Sequence, residues 1–162
     1  MSCDMFGGNV ELALNPAFAV EVFHNFTLVH DDIMDSSDIR RGVSTVHKMY
    51  GLNAGILAGD VMLAYAYKYL TDTPAECISP MMTIFNRTTI EIFEGQQLDI
   101  DFEKRTDVTE EEYLKMIEYK TSVLLAASLQ LGAIMAGADA KDQKLIYEFG
   151  LKLGLSFQIK DD

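Results

Sequence analysis

The sequence has no lysine or arginine before Arg40, so the first quarter of the chain is neutral or anionic. The whole chain of 162 residues carries 13 basic and 25 acidic residues, which gives a formal charge of −12. Proteins that bind nucleic acid need a basic surface to neutralise the phosphate backbone, so this charge disfavours a nucleic-acid partner. The same acidic surplus suits a protein that recruits divalent cations.

Cysteine and proline are also scarce. Cys3 and Cys77 form no disulfide or metal-binding pattern, so we expect an intracellular, cytoplasmic protein. The three prolines and the many alanines and methionines favour helix. We expect no signal peptide, because no basic segment followed by an apolar core begins the chain. The longest apolar stretch, residues 123–138, is shorter than the roughly 20 residues of a membrane span, which predicts a buried helix and no membrane span.

Apolar residues recur at helical spacing in several long segments, and no period-two strand pattern is sustained. Asn15 is predicted to cap the first long helix, and Thr109 with Glu112 to form a capping box. Segment 51–70 is apolar on almost every face and is predicted to be central, whereas segment 40–45 is predicted to be a loop. The sequence thus predicts one all-α domain over 1–162, with helices at 17–35, 51–70, 78–102, 109–136 and 142–162.

The segment richest in chemistry is 30–35, in which three aspartates fall within five residues at the end of an apolar helix. On a helix, residues three and four apart share a face, so Asp31, Asp32 and Asp35 are predicted to point at one spot. A hard cation would relieve their repulsion, and Mg²⁺ takes carboxylates together with substrate phosphates. Arg40 and Arg41 follow, and guanidinium groups suit phosphate oxygens. The simpler interpretation of this segment is a solvated acidic helix end.

A second acidic pair ends the chain. Gln158 lies three residues before Asp161 and four before Asp162, so the three share a helix face. Helix bundles build metal sites from side chains on facing helices. The sequence therefore predicts two acidic helix ends that hold metal ions between them.

These motifs resemble those of the polyprenyl synthetase family, the trans-isoprenyl diphosphate synthases that make farnesyl and geranylgeranyl diphosphate. The resemblance extends over nearly the whole chain. It rests on six segments that follow one another in the family's order: 30–35, 40–47, 57–60, 95–99, 119–121 and 157–162.

The resemblance implies a bundle of long antiparallel helices around a central cavity, and a homodimer. It implies Mg²⁺-dependent head-to-tail condensation of isopentenyl diphosphate with an allylic diphosphate. About three Mg²⁺ ions would hold the leaving diphosphate. By the same resemblance, Asp31, Asp35 and Asp161 are direct metal ligands, and Asp32 and Asp162 have supporting roles.

The resemblance also assigns substrate contacts. Arg40 would contact the allylic diphosphate, whereas Arg41 and His24 would contact isopentenyl diphosphate. In the family, bulk upstream of the first aspartate motif sets the floor of the product cavity. Phe26 with the small Thr27 therefore implies a short product, farnesyl or geranylgeranyl diphosphate, and we favour geranylgeranyl. Taken alone, His24 is more simply a core or surface histidine.

Three further residues are implied to be catalytic. Lys120 would add positive charge beside the allylic diphosphate, and the carbonyl of Thr121 and the amide of Gln158 would stabilise the allylic cation. The simpler interpretation of Lys120 is a lysine whose ammonium group reaches solvent from an apolar helix. Asp99, in the segment 95–99, belongs either to the site or to a solvated helix face.

The chain also departs from the family's pattern. Residues 1–39 hold no counterpart of an upstream Gly-Lys-x-x-Arg segment, and Lys160 stands where glutamine is usual. The third aspartate of the last motif is missing. We therefore expect a domain that is incomplete at both ends.

Parts of the pattern also occur in other classes of protein. A non-catalytic regulatory subunit of a heteromeric prenyl synthase is the alternative. A di-iron bundle is suggested by Glu21 and His24, but it needs a second Glu-x-x-His pair, and the chain has only three histidines. A terpene cyclase would not need the Lys120-Thr121 pair and two arginines in this order. No EF-hand spacing occurs.

Overall fold

A computed structural model describes residues 1–161, and it confirms the predicted all-α fold. The elements in order are α1 (Ser2–Met5), a 3₁₀ turn (Val10–Ala13), α2 (Leu14–Met34), β1 (Ile39–Arg40), β2 (Val43–Ser44), α3 (Val46–Tyr50), α4 (Leu52–Thr71), α5 (Ala75–Phe102), α6 (Glu110–Ile117), a π-helical segment (Glu118–Ser122), α7 (Val123–Met135) and α8 (Ala140–Asp161).

These elements form two compact units. One is Leu14–Thr73, which we call the α2–α4 unit. The other contains Met1–Ala13 and the residues from Pro74 onward, and we call it the α5–α8 unit.

The core of the α2–α4 unit lies between its two long helices. Phe23 and Phe26 of α2 and Leu70 of α4 are at most 4% exposed, and the two phenylalanine rings lie 5.5 Å apart. Burying each such side chain contributes about 1.5–3 kcal/mol. The prediction that α4 is central is wrong for the described residues. Apolar side chains on its other face, including Leu57 and Val61, are more than half exposed.

Helix α2 begins earlier than predicted. Leu14 is its first residue, so Asn15 and Pro16 lie inside the first turn. Proline is tolerated there because the N–H groups of the first turn have no helical acceptor. The Asn15 side chain instead donates a hydrogen bond to the main-chain oxygen of Asp72, 57 residues away. The predicted cap is therefore wrong, and Asn15 ties the start of α2 to the end of α4.

The segment after α2 is more ordered than the predicted loop. Arg40 of β1 pairs with Val43 of β2 in a short antiparallel hairpin. Arg41 and Gly42 form its turn with φ angles of 52° and 81°. Positive φ at both positions matches the twist of paired strands. Glycine adopts this conformation freely, whereas for Arg41 it costs about 1–2 kcal/mol.

Helix α7 is the buried centre of the α5–α8 unit, which confirms the buried helix predicted from residues 123–138. Ala126, Ala127 and Leu131 are at most 1% exposed. Helix α1 packs on α7, and the Ser2 hydroxyl donates a hydrogen bond to the main-chain oxygen of Leu129 at 2.6 Å.

One helical stretch of the described residues, Val10–Met34, is long and apolar enough by length and composition to cross a membrane. Core helices of water-soluble proteins and signal sequences meet the same criterion, so the stretch by itself does not establish a span. That the chain has no membrane span stays a prediction.

The helix predicted over 109–136 is divided by the π-helical segment, where the backbone accommodates one extra residue per turn. Glycines of two neighbouring helices lie against this segment. A Cβ on Gly95 of α5 would overlap the Lys120 nitrogen and lie 2.8 Å from the Tyr119 carbonyl carbon. A Cβ on Gly154 of α8 would lie 2.6 Å from Cα of Ser122. The missing side chains therefore allow both helices to approach the π segment closely.

The predicted capping box at the start of α6 is confirmed. Thr109 Oγ1 accepts the main-chain N–H of Glu112 at 3.2 Å, and Glu112 Oε2 accepts that of Thr109 at 2.9 Å. Arg105 also donates to the Glu112 carboxylate, at 2.8 Å. At the other end, Gly137 follows α7 with φ of 71°, as its predicted role in ending this helix requires.

The hydrogen bonds to Glu112 predict an acid-dependent part of the stability. Arg105 and the Thr109 N–H lower the pKa of Glu112 from 4.5 to about 2. A carboxyl group with a lowered folded pKa stabilises the fold above its unfolded pKa, and this stabilisation is lost as the pH falls through the folded value. We expect Glu112→Gln to lower the free energy of unfolding at pH 7. The difference in this free energy between the variant and the native protein should shrink as the pH falls from 4.5 to about 2.

Urea unfolding at steps through that pH range measures this effect. Glu111→Gln is the control, because Glu111 lies exposed in the same first turn. It should keep the native pH dependence. A constant difference between Glu112→Gln and the native protein from pH 7 to pH 2 would contradict the expectation.

The close approach at Gly95 makes a second prediction. Gly95→Ala would force the α5 and π-segment backbones apart, and overpacking of this kind costs about 1–3 kcal/mol of unfolding free energy. Gly55→Ala is the control, because its nearest neighbour at 3.0 Å is the flexible end of Ile33. Urea unfolding should show a clear loss for Gly95→Ala alone, and equal stability of the two variants would contradict the role given to Gly95.

Candidate active site

The first acidic motif lies at the C-terminal end of α2, and its three aspartates differ in exposure. Asp32 is 4% exposed, the Asp31 side chain is 18% exposed, and Asp35 lies exposed just after the helix. Within residues 1–161, no three histidine, cysteine or acidic side chains form a group that could hold a metal ion. The predicted meeting of the three carboxylates at one spot is thus not seen there, and their metal-binding role stays a prediction.

Arg40 is the cation that Asp31 and Asp32 contact. Its Nε donates to Asp32 Oδ1 at 2.7 Å, and its Nη2 donates to Asp31 Oδ2 at 3.2 Å. Adjacent carboxylates at the negative end of a helix dipole repel each other and the dipole. A buried carboxylate also needs a partner. The hairpin that carries Arg40 therefore neutralises the end of α2.

A cavity of about 210 Å³ lies beside this ion pair in the α2–α4 unit. Both arginines predicted to bind diphosphate, Arg40 and Arg41, line it together with Asp32. The remaining wall is formed by Asn25, Leu28, Val29, Val43, Ser44, Thr45 and Val46. His24, the third predicted substrate contact, is half-buried on α2, where its main-chain oxygen accepts the Thr27 hydroxyl at 2.7 Å.

Phe26, predicted to set the length of the product, is held in a packed position. Its ring lies 5.5 Å from that of Phe23 and 4.8 Å from the edge-on ring of His30. His30 Nε2 lies 3.1 Å from the main-chain oxygen of Ile56. A Cβ on Gly59 would overlap the His30 ring. Gly59, inside segment 57–60, thus allows His30 to bridge α2 and α4, a contact that the sequence signalled only by a glycine within a helix.

The three predicted catalytic residues come together in the α5–α8 unit. Lys120, Thr121 and Gln158 line one cavity of about 260 Å³. Thr121 Oγ1 donates to Gln158 Oε1 at 3.3 Å, which joins the π segment to α8. The remaining lining residues are Asp99, Tyr113, Met116 and Ile117.

Asp99 contacts Lys120, the lysine predicted to be catalytic. Lys120 Nζ donates to Asp99 Oδ2 at 2.5 Å, and the two side chains are 29% and 33% exposed. This contact and the cavity lining place Asp99 beside Lys120, and its role in the active site stays a prediction. Asp99 holds the ammonium group at the cavity wall, at the end of a long and flexible side chain.

The second acidic motif is described in part. Asp161 is the last residue of α8 and is exposed. Asp162, predicted to support metal binding, lies outside the described residues. Asp31 belongs to the α2–α4 unit and Asp161 to the α5–α8 unit. That these two acidic ends face each other stays a prediction.

Comparison with known proteins identifies the family. The family model for polyprenyl synthetase matches residues 1–162. The chain is 50% identical to the geranylgeranyl diphosphate synthase of Sulfolobus acidocaldarius, over 100% of this chain and 50% of that protein. It is 48% identical to the geranylfarnesyl diphosphate synthase of Natronomonas pharaonis, over 92% of this chain and 44% of that protein.

A solved structure gives the same result. The crystal structure of a geranylgeranyl pyrophosphate synthase superposes with a TM-score of 0.98 at 54% identity, over 100% of this chain and 50% of that one. The chain spans about half the length of the curated relatives it matches. From the match over its full length and from these identities, the chain belongs to the polyprenyl synthetase family.

Proposed function

We propose that the protein condenses isopentenyl diphosphate with an allylic diphosphate, head to tail and with Mg²⁺, to give geranylgeranyl diphosphate. The observation that supports this most is the cavity shared by Lys120, Thr121 and Gln158, which the family resemblance assigns to catalysis. We also propose a homodimer that acts in the cytoplasm. The relatives compared above are named as synthases, and they give no support to a non-catalytic regulatory subunit.

The reaction separates charge. The C–O bond of the allylic diphosphate breaks, the alkene of isopentenyl diphosphate attacks the allylic cation, and a proton is lost. Fixed dipoles and charges lower such a barrier most effectively when water is excluded. Lys120, held by Asp99, faces the leaving diphosphate in this proposal. The carbonyl of Thr121 and the side-chain oxygen of Gln158 stabilise the cation without bonding to it.

The acidic residues fit Mg²⁺ by the chemistry of their donors. Mg²⁺ takes oxygen ligands, and it usually binds through one or two carboxylates together with substrate phosphates, so a group of three protein ligands is not required. Asp31, Asp35 and Asp161 would hold about three such ions, with Asp162 in support. When bound, the metal neutralises the charge that develops on the departing diphosphate.

The two arginines of the hairpin divide the diphosphates between them. Arg40 binds the allylic diphosphate, and Arg41 together with His24 binds isopentenyl diphosphate. Arg40 and Arg41 line one cavity of about 210 Å³, which supports a shared role in diphosphate binding; His24 is not among the residues that line it. The product is assigned as geranylgeranyl diphosphate because Phe26 is taken to form the floor of the product cavity. A farnesyl product is the alternative.

Product analysis tests the whole proposal. The protein at its natural length is incubated with Mg²⁺, radiolabelled isopentenyl diphosphate and a series of allylic primers, and the products are separated by chain length. Geranylgeranyl diphosphate is the expected product. No incorporation of label with any primer would contradict the proposed activity.

Asp31→Ala should lower turnover by about 100-fold or more, because a metal ligand and one of the two carboxylates that Arg40 contacts are lost. The fold should be retained, since Asp31 is partly exposed. Asp38→Ala is the control, because Asp38 is an exposed aspartate of the same region paired with Lys48 at 2.8 Å. Near-native turnover of Asp31→Ala would remove Asp31 from the site.

Phe26→Ala should lengthen the product, because loss of the ring opens the floor of the product cavity. Chain-length analysis measures this, with Phe18→Ala as the control, since Phe18 lies on the same helix but is 50% exposed. Deletion of a buried ring costs about 3–5 kcal/mol, so Phe26→Leu serves if the alanine variant does not fold. An unchanged product in both Phe26 variants would contradict the role given to this ring.

A further inference from the structure

Asp32 differs from the aspartates on either side of it. It is 4% exposed, and its Oδ1 accepts the Nε–H of Arg40 at 2.7 Å. Asp31 forms the longer bond of the pair, 3.2 Å, and the Asp35 residue is exposed to solvent. Mg²⁺ keeps several of its waters, so it favours carboxylates that solvent can reach. Asp32 is therefore the member of the motif least suited to bind the metal and best suited to hold a cation from the protein.

The guanidinium group retains donors after these contacts. Arginine has five N–H donors in a rigid plane, and the contacts with Asp32 and Asp31 use the Nε and Nη2 edge. The Arg40 side chain is still 34% exposed, and it lines the cavity that Arg41 also lines. Because one edge of the guanidinium group is fixed in this way, its remaining N–H donors are held in one orientation.

The main chain that carries Arg40 is fixed as well. Thr45, directly after β2, is 3% exposed. Its hydroxyl donates to the main-chain oxygen of Ser37 at 2.7 Å, and its N–H donates to that of Asp38 at 3.1 Å. The hairpin is thus closed at its base, and Asp32 fixes the arginine that projects from it.

We propose that Asp32 is a positioning residue, which orients the Arg40 guanidinium toward the diphosphate cavity and does not ligate the metal. This inference rests on the proposed function. It specifies the supporting role that the family resemblance gave to Asp32. The bond from Nε limits rotation of the guanidinium plane, so the diphosphate meets an arginine that needs no further ordering.

A binding titration distinguishes a carboxylate that positions Arg40 from one that binds Mg²⁺. The protein at its natural length is titrated with inorganic pyrophosphate at a series of Mg²⁺ concentrations. For Asp32→Asn we expect the dissociation constant of pyrophosphate at saturating Mg²⁺ to rise about tenfold, since charge-assisted bonds from Arg40 are lost or misaligned. The Mg²⁺ concentration that gives half-maximal binding should change by less than about twofold.

Two variants provide matched controls. Asp35→Asn should instead raise the Mg²⁺ requirement, because Asp35 is assigned to the metal. Asp38→Asn should change neither quantity, since Asp38 pairs with Lys48 outside the cavity. In steady-state kinetics, Asp32→Asn should raise KM for the allylic diphosphate more than it lowers kcat.

A double-mutant cycle tests whether Asp32 acts through Arg40. If it does, Asp32→Asn combined with Arg40→Lys should bind pyrophosphate about as weakly as Arg40→Lys alone. If Asp32→Asn does not fold, Asp32→Glu keeps the charge but displaces the arginine, and it should show the same loss of pyrophosphate affinity.

Either of two results would overturn the inference. One is a Mg²⁺ requirement raised as far as in Asp35→Asn with unchanged pyrophosphate affinity at saturating Mg²⁺. The other is a double-mutant cycle in which the loss of pyrophosphate affinity in the double variant equals the product of the losses in the two single variants. Because pyrophosphate binding needs no turnover, a native protein that makes no prenyl product would contradict the proposed function and leave this measurement valid on its own terms.

Discussion

The candidate active site depends on how closely three backbones approach one another around the π-helical segment. Gly95 on α5 and Gly154 on α8 have no Cβ where a Cβ would overlap the segment. At these distances the carbonyl groups and side chains of residues 118–122 have few alternative positions. Lys120 and Thr121 consequently meet Asp99 and Gln158 at one cavity, although they come from three elements.

In the α2–α4 unit the corresponding constraint is electrostatic. The end of α2 carries adjacent carboxylates, one of them buried, and they require a cation. The hairpin brings Arg40 back to the helix end, where its guanidinium group supplies that charge. Arg40 thus stabilises the end of α2 in addition to its proposed role in binding diphosphate. A residue proposed to bind substrate is in this way also part of the structure of the unit.

Local signals in the sequence predicted much of the fold. The capping box at Thr109, the end of α7 near Gly137 and the long α5 follow from residues within a few positions of one another. Asn15 does not cap α2, because the helix begins at Leu14, directly after the 3₁₀ turn, and the Asn15 side chain donates instead to an oxygen 57 residues away. Strands of two residues and a π turn of five are too short for periodicity to reveal. In the site, motif order predicted Lys120, Thr121 and Gln158, but the contacts of Asp99 and Asp32 depend on packing that the chain order does not encode.

The π segment has a consequence for length variation in this family. One extra residue in a helix rotates everything beyond it by about 100°. Deletion of a single residue between 118 and 122 would let α6 continue into α7 as one regular helix. Composition and overall helicity would hardly change, yet the residues on the two sides of the deletion would lose their common orientation. Loss of one residue here should therefore disturb the cavity even in a protein that keeps Lys120 and Thr121.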